Sequence, residues 1–514
     1  MRKWLPLLTV CLGTFMLLID VTIVNVALPS MVADLDASFG ALQWVVDAYA
    51  LALAALLLGA GSVADIIGHR RAYIAGLAVF ALSSLLCGLA PNDELLIAAR
   101  AVQGIGAAAM FATNFPLLNA SYTGRDRGAA YGIWGAVAGA SSAIGPIVGG
   151  VLTEYISWRW IFFVNLPVSA VAIILALTVL ADTRAQAQAR VRLDPPGIVA
   201  FTAAAAGATY ALIRANDDGW SDGGVWLLLG ATAVLLAVFT VLEARSSHPM
   251  FDLSLLRNRR FVGVLVAGLL TTFAAFSAFT YTSIWLQSVL GMSPLKAGLT
   301  GLPLSITAFF VSALLGRLLQ ERRPDLVIGG GLAFVGVGGL LVALLVHGSA
   351  SWPELIPGFA VIGIGVGMAT PMIGSVSMSL VPFHRTGMAA GAVNTARQLG
   401  YAFGIAALGS IFVARAQDTL SDQSIPAGSG RAAHAIAGGQ TPGLLAAAPA
   451  GTREALDTAA HTAAVNGVQA TFAVAGAVGV LAAVLVLVLM RPGAKVAAQP
   501  AGQADEREAV QASA

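Results

Sequence analysis

Few residues of this chain are set to do chemistry, because most of it is apolar. Of 514 residues, 58% are hydrophobic and 11% charged, where ordinary soluble domains carry about 25% charge. Sorting the charges against the long apolar runs leaves Asp20, Asp47, Arg100 and Arg397 well inside them, with Arg317 near the edge of its run. An ionisable group there is costly, faces a bundle interior or a wet cavity, and marks a site of function. Asp20 is therefore a candidate proton carrier. At about 1.5 Å per residue, Asp20 lies about 13 Å below the outer end of its run and Arg100 about 7 Å below that of its own, a gap an arginine side chain closes. Arg100, Gln103 and Gly104 share one helical face. Asp47 stands at a depth similar to Arg100, but near enough to a span end to snorkel. Arg397 sits about 13 Å in from the opposite end of its run; substrate contact, a carbonyl partner and an anchor between two halves of the molecule are all open to it.

Other chemistries lack their residues. The histidines, His69, His248, His347, His384, His434 and His461, stand singly, and Cys11 and Cys87 lie in apolar runs without metal-ligand spacing, so no metal is expected. There is no Gly-x-x-x-x-Gly-Lys-Ser/Thr run to cradle nucleotide phosphates. No cofactor is expected, and no enzyme. A net charge of +2, dispersed along the chain, excludes a nucleic-acid partner.

The elements that must position these residues are membrane helices. Apolar runs at 5–29, 42–63, 72–90, 95–118, 128–153, 160–181, 196–214, 223–243, 261–290, 296–319, 326–347, 354–381, 388–415 and 464–490 are each long enough to cross a bilayer, which takes about 20 residues. Most Lys and Arg fall in the turns on the N-terminal side, including Arg70, Arg71, Arg125, Arg127, Arg257, Arg322 and Arg323. Basic residues mark cytoplasmic loops, so both ends of the chain are expected in the cytoplasm. Trp44, Trp158, Trp160, Trp220, Trp226, Trp285 and Trp352 fall near outer helix ends, where an interfacial belt is expected.

The chain also repeats itself. Gly104 and Gly106 recur as Gly363 and Gly365, and the same offset of 259 relates Gly128 to Gly387, Gly132 to Gly391, Gly145 to Gly404 and Gly150 to Gly409. Duplicated halves around a midplane site are a transporter device. The expected organisation is a six-helix bundle over 1–181, two inserted helices with flanks over 182–260, a second six-helix bundle over 261–490 carrying a long outer loop at 416–463, and a disordered tail over 491–514.

Four motifs give this plan a family. Gly61-Ser-Val-Ala-Asp65-Ile-Ile-Gly68-His-Arg70-Arg71 resembles motif A of the major facilitator superfamily, and Arg70 and Arg71 are placed to pair with Asp65 or Asp126. A degenerate copy, with Gln320 for the Asp, spans Gly316 to Arg323. Arg100-Ala-Val-Gln103-Gly104-Ile-Gly106 resembles motif B. Gly135-Ala-Val-Ala-Gly139 followed by Gly145-Pro146-Ile-Val-Gly149-Gly150 resembles motif C, associated with antiporters; Pro146 would let that helix bend. Leu18-Ile-Asp20-Val-Thr22-Ile-Val-Asn25-Val-Ala-Leu28-Pro29 and Trp158-Arg-Trp160-Ile-Phe162-Phe163-Val-Asn165-Leu-Pro167 resemble the fourteen-span drug:proton antiporter family.

That resemblance implies an all-α polytopic membrane protein with two six-helix bundles and two inserted helices. It implies a monomeric multidrug efflux transporter of the bacterial cytoplasmic membrane, driven by the proton gradient and exporting lipophilic cationic drugs, dyes or biocides by alternating access. Its partners would be protons, small-molecule substrates and the bilayer. In the implied cycle Asp20, tuned by Arg100 and helped by Asp47, exchanges a proton for substrate. In the second half Asn394 and Arg397 are candidates, and Phe273, Phe276, Phe279 and Tyr281 are candidate pocket residues beside Trp285. The alternative is a dedicated exporter of one metabolite or self-made antibiotic. A membrane-embedded enzyme or sensor is the remote one.

Overall fold

The computed structural model describes residues 2–35, 39–181, 194–217, 219–246, 248–320, 322–348, 350–423, 429–449 and 451–491. Among them every regular element is helical. In the first half these are α1 (Leu5–Leu35), α2 (Phe39–Ile67), α3 (His69–Gly88), α4 (Asp93–Ser121), α5 (Gly124–Tyr155), α6 (Trp160–Phe163) and α7 (Asn165–Val179). The inserted pair is α8 (Pro195–Asp217) and α9 (Gly223–Arg245). The second half comprises α10 (Arg259–Phe276), α11 (Ala278–Ile284), α12 (Pro294–Leu299), α13 (Leu302–Gln320), α14 (Pro324–Leu345), α15 (Leu355–Ser379), α16 (Thr386–Asp422), α17 (Ser429–Ala437), α18 (Thr441–Ala447) and α19 (Arg453–Leu489).

Thirteen candidate spans among the described residues are long and apolar enough to cross a membrane. The run at 128–153 forms the 32-residue helix α5. Its eight glycines let it pack between α1 and α13, one helix from each half. The 416–463 stretch, expected as a loop, is largely helical: α16 runs on to Asp422, α17 and α18 follow, and α19 already begins at Arg453. Ala432, Ala433 and Ile436 of α17 are buried, so this segment is part of the second core. The segment 182–193 and the tail beyond residue 491 lie outside the described residues.

The repeat is visible in the packing. A Cβ on Gly104 would meet the α2 backbone at Tyr49, and one on Gly363 the α13 backbone at Leu304. Gly106 abuts Gly76 and Phe80 of α3 as Gly365 abuts Gly331 and Val335 of α14. Gly145 packs on Thr22 of α1, and Gly404 on Ser277 at the end of α10. In each case small residues let helix backbones approach closely. One apolar core centres on Tyr73, Phe80, Phe115 and Trp134 of the first half and continues onto Phe261, Met378 and Met388 of the second; another lies within the second half around Trp285, Phe359, Phe412 and Phe472.

Helix α8 packs on α2 and α16 and so bridges the halves, while α9 turns Leu227, Val234, Leu236 and Val241 outward, as a lipid-facing helix does. Of the expected tryptophan belt, Trp44, Trp160, Trp226 and Trp352 are exposed, but Trp158 and Trp285 are buried. The Trp158 indole N–H donates to Asp34 at 3.1 Å.

Candidate functional site

Helices α1, α3, α4 and α7 converge on a buried polar cluster in the first half. Asp20, Arg100 and Gln103 are 0%, 1% and 0% exposed. Arg100 Nη1 donates to Asp20 Oδ2 at 2.5 Å and to Gln103 Oε1 at 2.7 Å, and its Nε donates to the Val45 carbonyl at 2.9 Å. Gln103 Nε2 donates to Asp20 Oδ1 at 3.1 Å and to Ser84 Oγ at 2.7 Å. Asn165 Nδ2 reaches the same Asp20 oxygen and Ser84 Oγ, each at 3.3 Å. The guanidinium carbon lies 4.3 Å from the centre of the Tyr49 ring. A carboxylate and a guanidinium are thus held away from water, with hydrogen bonds on both carboxylate oxygens, the arrangement a buried pair requires.

The structure brings Asp20, Arg100 and Gln103 together and adds Ser84 and Asn165. Asn165 had a sequence signal, its place in the Trp158–Pro167 signature; Ser84 had none. Asp47 is half-buried on α2 two residues beyond Val45, whereas Asp20 accepts hydrogen bonds from Arg100, Gln103 and Asn165. At the far end of α1, Arg159 pairs with Asp34. The Arg159 hydrogen bond, with that of Trp158, holds the Asp34 carboxyl below its ordinary range.

A second polar site joins the halves at the face that holds the α2–α3 turn, called here the basic face. Gly68 makes that turn in one residue with φ 96°, a left-handed conformation natural to glycine. One turn back, Asp65 Oδ1 accepts the Gly387 N–H at 2.7 Å and Oδ2 the Met388 N–H at 2.8 Å. The carboxylate caps the N-terminus of α16, where free N–H groups and the helix dipole favour negative charge. Gly61 and Gly387 let the backbones touch: a Cβ on either would fall on the other's carbonyl oxygen. His69, absent from the sequence candidates, is buried here with Nε2 3.2 Å from Thr386 Oγ1. Ser62 donates to the Met250 carbonyl at 3.2 Å, and Asp252 pairs with Arg385, so the segment after α9 belongs to the same latch.

The other motif A residues have different partners. Asp126, expected to take Arg70 or Arg71, pairs with Lys3 at 2.7 Å. Arg70 donates to the Leu177 carbonyl of α7. In the degenerate copy, the side chains of Arg317 and Gln320 lie outside the described residues, whereas Arg323 pairs with Asp325 at 2.6 Å.

Helix α5 connects the Asp20 cluster to the second half through its glycines, which point in two directions. Gly145 and Gly149 pack on Ile19, Thr22 and Ile23, the residues flanking Asp20. Gly135 and Gly139 face the second half, where a Cβ on Gly135 would lie 2.5 Å from Ser312 Oγ and 2.7 Å from Pro371. Ser312 Oγ also donates to the Gly132 carbonyl at 2.8 Å. Gly150 approaches Leu295 of α12. Position 146 lies within the continuous helix; the Pro146 and Asn25 side chains lie outside the described residues.

The aromatic residues expected to line a pocket fill the second core. Phe279 stacks on Phe359 at 4.5 Å, Tyr281 on Phe412 at 5.5 Å, and Phe273 lies 5.8 Å from Phe403. Phe276 is half-buried against the same cluster, and Tyr281 donates to the Ile405 carbonyl at 2.8 Å. Asn394 reaches across the halves, donating to the Phe111 carbonyl of α4 at 3.2 Å. Arg397 lies one turn further along α16, half-buried.

Comparison with known proteins accords with this architecture. The model of the Major Facilitator Superfamily matches residues 10–405. The chain belongs to the major facilitator superfamily. Among its relatives in the superfamily, Multidrug resistance protein Stp of Mycobacterium tuberculosis (strain CDC 1551 / Oshkosh) is 36% identical over 417 residues, 81% of this chain and 77% of that one. The Tetracenomycin C resistance and export protein of Streptomyces glaucescens is 33% identical over 502 residues, covering 95% and 91%. Among solved major facilitator structures, that of the human organic anion transporter MFSD10 superposes with a TM-score of 0.65 at 14% identity, covering 94% of this chain and 99% of that one.

Proposed function

We propose that this major facilitator protein is a proton-driven exporter of lipophilic drug-like molecules, working by alternating access in a bacterial cytoplasmic membrane with its basic face, and both ends of the chain, on the cytoplasmic side. The observation that carries the reading is the buried Asp20–Arg100 pair. With Asp20 ionised, the guanidinium is neutralised in place. Protonating Asp20 leaves Arg100 uncompensated away from water, and breaking such a pair costs about 3–5 kcal/mol. Moving one charge through the membrane potential is worth about 2.3 kcal/mol per 100 mV, so a single proton matches that cost at a driving force of about 130–220 mV. Helix α5, packed on α1 beside Asp20 and on α13 and α15 of the other half, is the element that passes the change on. The latch at Asp65 corresponds in this reading to a state closed to the cytoplasm.

The test is efflux from proteoliposomes under an imposed pH gradient. Asp20→Asn is expected to abolish gradient-driven efflux while leaving the protein folded; efflux at the wild-type rate would refute the assignment. The second reading, a dedicated antibiotic exporter, is supported by relatives named for one compound, such as the Tetracenomycin C protein. Protection of an efflux-deficient host against one compound in a panel of dyes, quaternary ammonium biocides and antibiotics selects it; protection against several selects the multidrug reading.

A further inference from the structure

The two intramembrane arginines are in opposite situations. Arg100 has Asp20, Gln103 and a carbonyl. The Arg397 guanidinium has no hydrogen-bond or ion-pair partner among the described residues, and α10, against which its stem packs, carries no acidic residue. A Cβ on Gly268 of α10 would lie 3.3 Å from Arg397 Cγ, and Thr272 Oγ1 donates to the Arg397 carbonyl at 2.7 Å.

Helical phase places the side chain. Val393, Gly400 and Gly404 face α10, whereas Asn394 faces α4 of the opposite half. At 100° per residue, position 397 falls between these two directions. It therefore looks into the seam where the halves meet, away from Leu399 and Phe403, which line an apolar groove with Leu212 and Trp220 of the inserted pair. Tyr401, one turn on, shares this face, with its hydroxyl in hydrogen-bond contact with Thr280. A cation, an aromatic ring and hydroxyls are thus gathered where the opposing half closes.

We propose that Arg397 is a specificity residue that binds an oxyanion of the exported molecule, a carboxylate or phenolate, so that lipophilic acids are preferred substrates. The inference rests on the exporter reading. An uncompensated guanidinium at this depth is costly, and a planar fork of donors matches a carboxylate. Asp20, by contrast, is committed to Arg100 in this state and offers a substrate cation no free carboxylate.

The experiment measures binding at equilibrium, without a gradient, to the purified full chain in detergent. The probes are a rhodamine with a free carboxylate and the methyl ester of the same dye, followed by fluorescence anisotropy. The wild type is expected to bind the acid more tightly than the ester. Arg397→Gln is expected to weaken the acid about tenfold, the scale of a lost charge-assisted pair, and to leave the ester within about twofold. Arg397→Lys keeps the charge without the fork and is expected to fall between. Equal losses for both dyes in either variant would make Arg397 a packing residue and overturn the proposal, as would no loss for either. If the Gln variant does not fold, the acid-to-ester ratio of the Lys variant decides alone. A protein that fails to pump under a gradient yet shows the selective loss refutes the exporter reading and leaves this one standing.

Discussion

Arg100 does its work by spanning three acceptors at once: the Val45 carbonyl, Asp20 and Gln103. Lysine keeps the charge but offers a compact point in place of a planar fork, so Arg100→Lys cannot reproduce the set. With the pair only partly compensated and out of water, Arg100→Lys is expected to lower pH-gradient-driven efflux about tenfold or more. Initial rates in proteoliposomes, compared at equal reconstituted protein, check it; an unchanged rate would mean that charge alone suffices. Asp20 and Arg100 were legible in the sequence because a charge in an apolar run is costly wherever the run folds, and Gln103 because it shares a helical face with Arg100. Ser84 was not, and Asn165 only as part of the Trp158–Pro167 signature, since neutral polar residues are common in membrane helices and only the fold brings α3 and α7 to α1. The aromatics of the 261–290 run show the converse. A ring on a helix has the same pattern whether it lines a cavity or fills a core, and here the core took Phe273, Phe279 and Tyr281.

Helix contacts set the next level, and two of them make expectations. The Asp65 latch needs two acceptor oxygens for two N–H groups and gains from negative charge at the start of α16. Asp65→Asn supplies one acceptor and no charge; a charge at a helix terminus is worth about 0.3–2 kcal/mol and a lost buried partner about 1–3 kcal/mol. The closed basic face is expected to open more often, read as faster maleimide labelling of a Ser62→Cys reporter, which sits against Met250 when the latch is shut. Unchanged labelling would remove Asp65 from the latch. Motif A was visible in the sequence, but its partners were not, because backbone N–H groups at a helix start carry no residue signature. On α5, a Cβ at Gly145 would fall on the Thr22 hydroxyl and lie 2.9 Å from Thr22 Cβ. Gly145→Ala is therefore expected to force α5 from α1 and impair efflux, and Thr22→Gly in the same chain to restore much of it. The double-mutant comparison isolates this contact; additive losses would place the defect elsewhere.

Across the whole molecule the halves share a frame and divide the labour. The positions 259 residues beyond Asp20 and Arg100 are Phe279 and Phe359, whose rings stack at 4.5 Å. Where one half carries an ion pair the other carries apolar packing, so in the proposed cycle the proton acts in the first half and its effect reaches the second through the seams between them. One seam, α2 with α16, is latched at the basic face. The other, α5 with α12 and α13, stays in contact from the Gly132–Ser312 hydrogen bond to Gly150 and Leu295 at the opposite end, where a Cβ on Gly150 would lie 3.9 Å from that of Leu295. That separation matches disulfide geometry, for which Cβ atoms lie about 3.5–4.5 Å apart. The native cysteines, Cys11 and Cys87, are buried and free, so they do not compete. A contact that holds at one face while the other is latched does not part in this state, and rocking the halves together at that face when the latch opens only tightens it. The seam is then a pivot, and a Gly150→Cys, Leu295→Cys chain is expected to cross-link under mild oxidation and to retain most of its efflux. Loss of efflux on oxidation, regained on reduction, would show instead that the halves separate along α5 during the cycle.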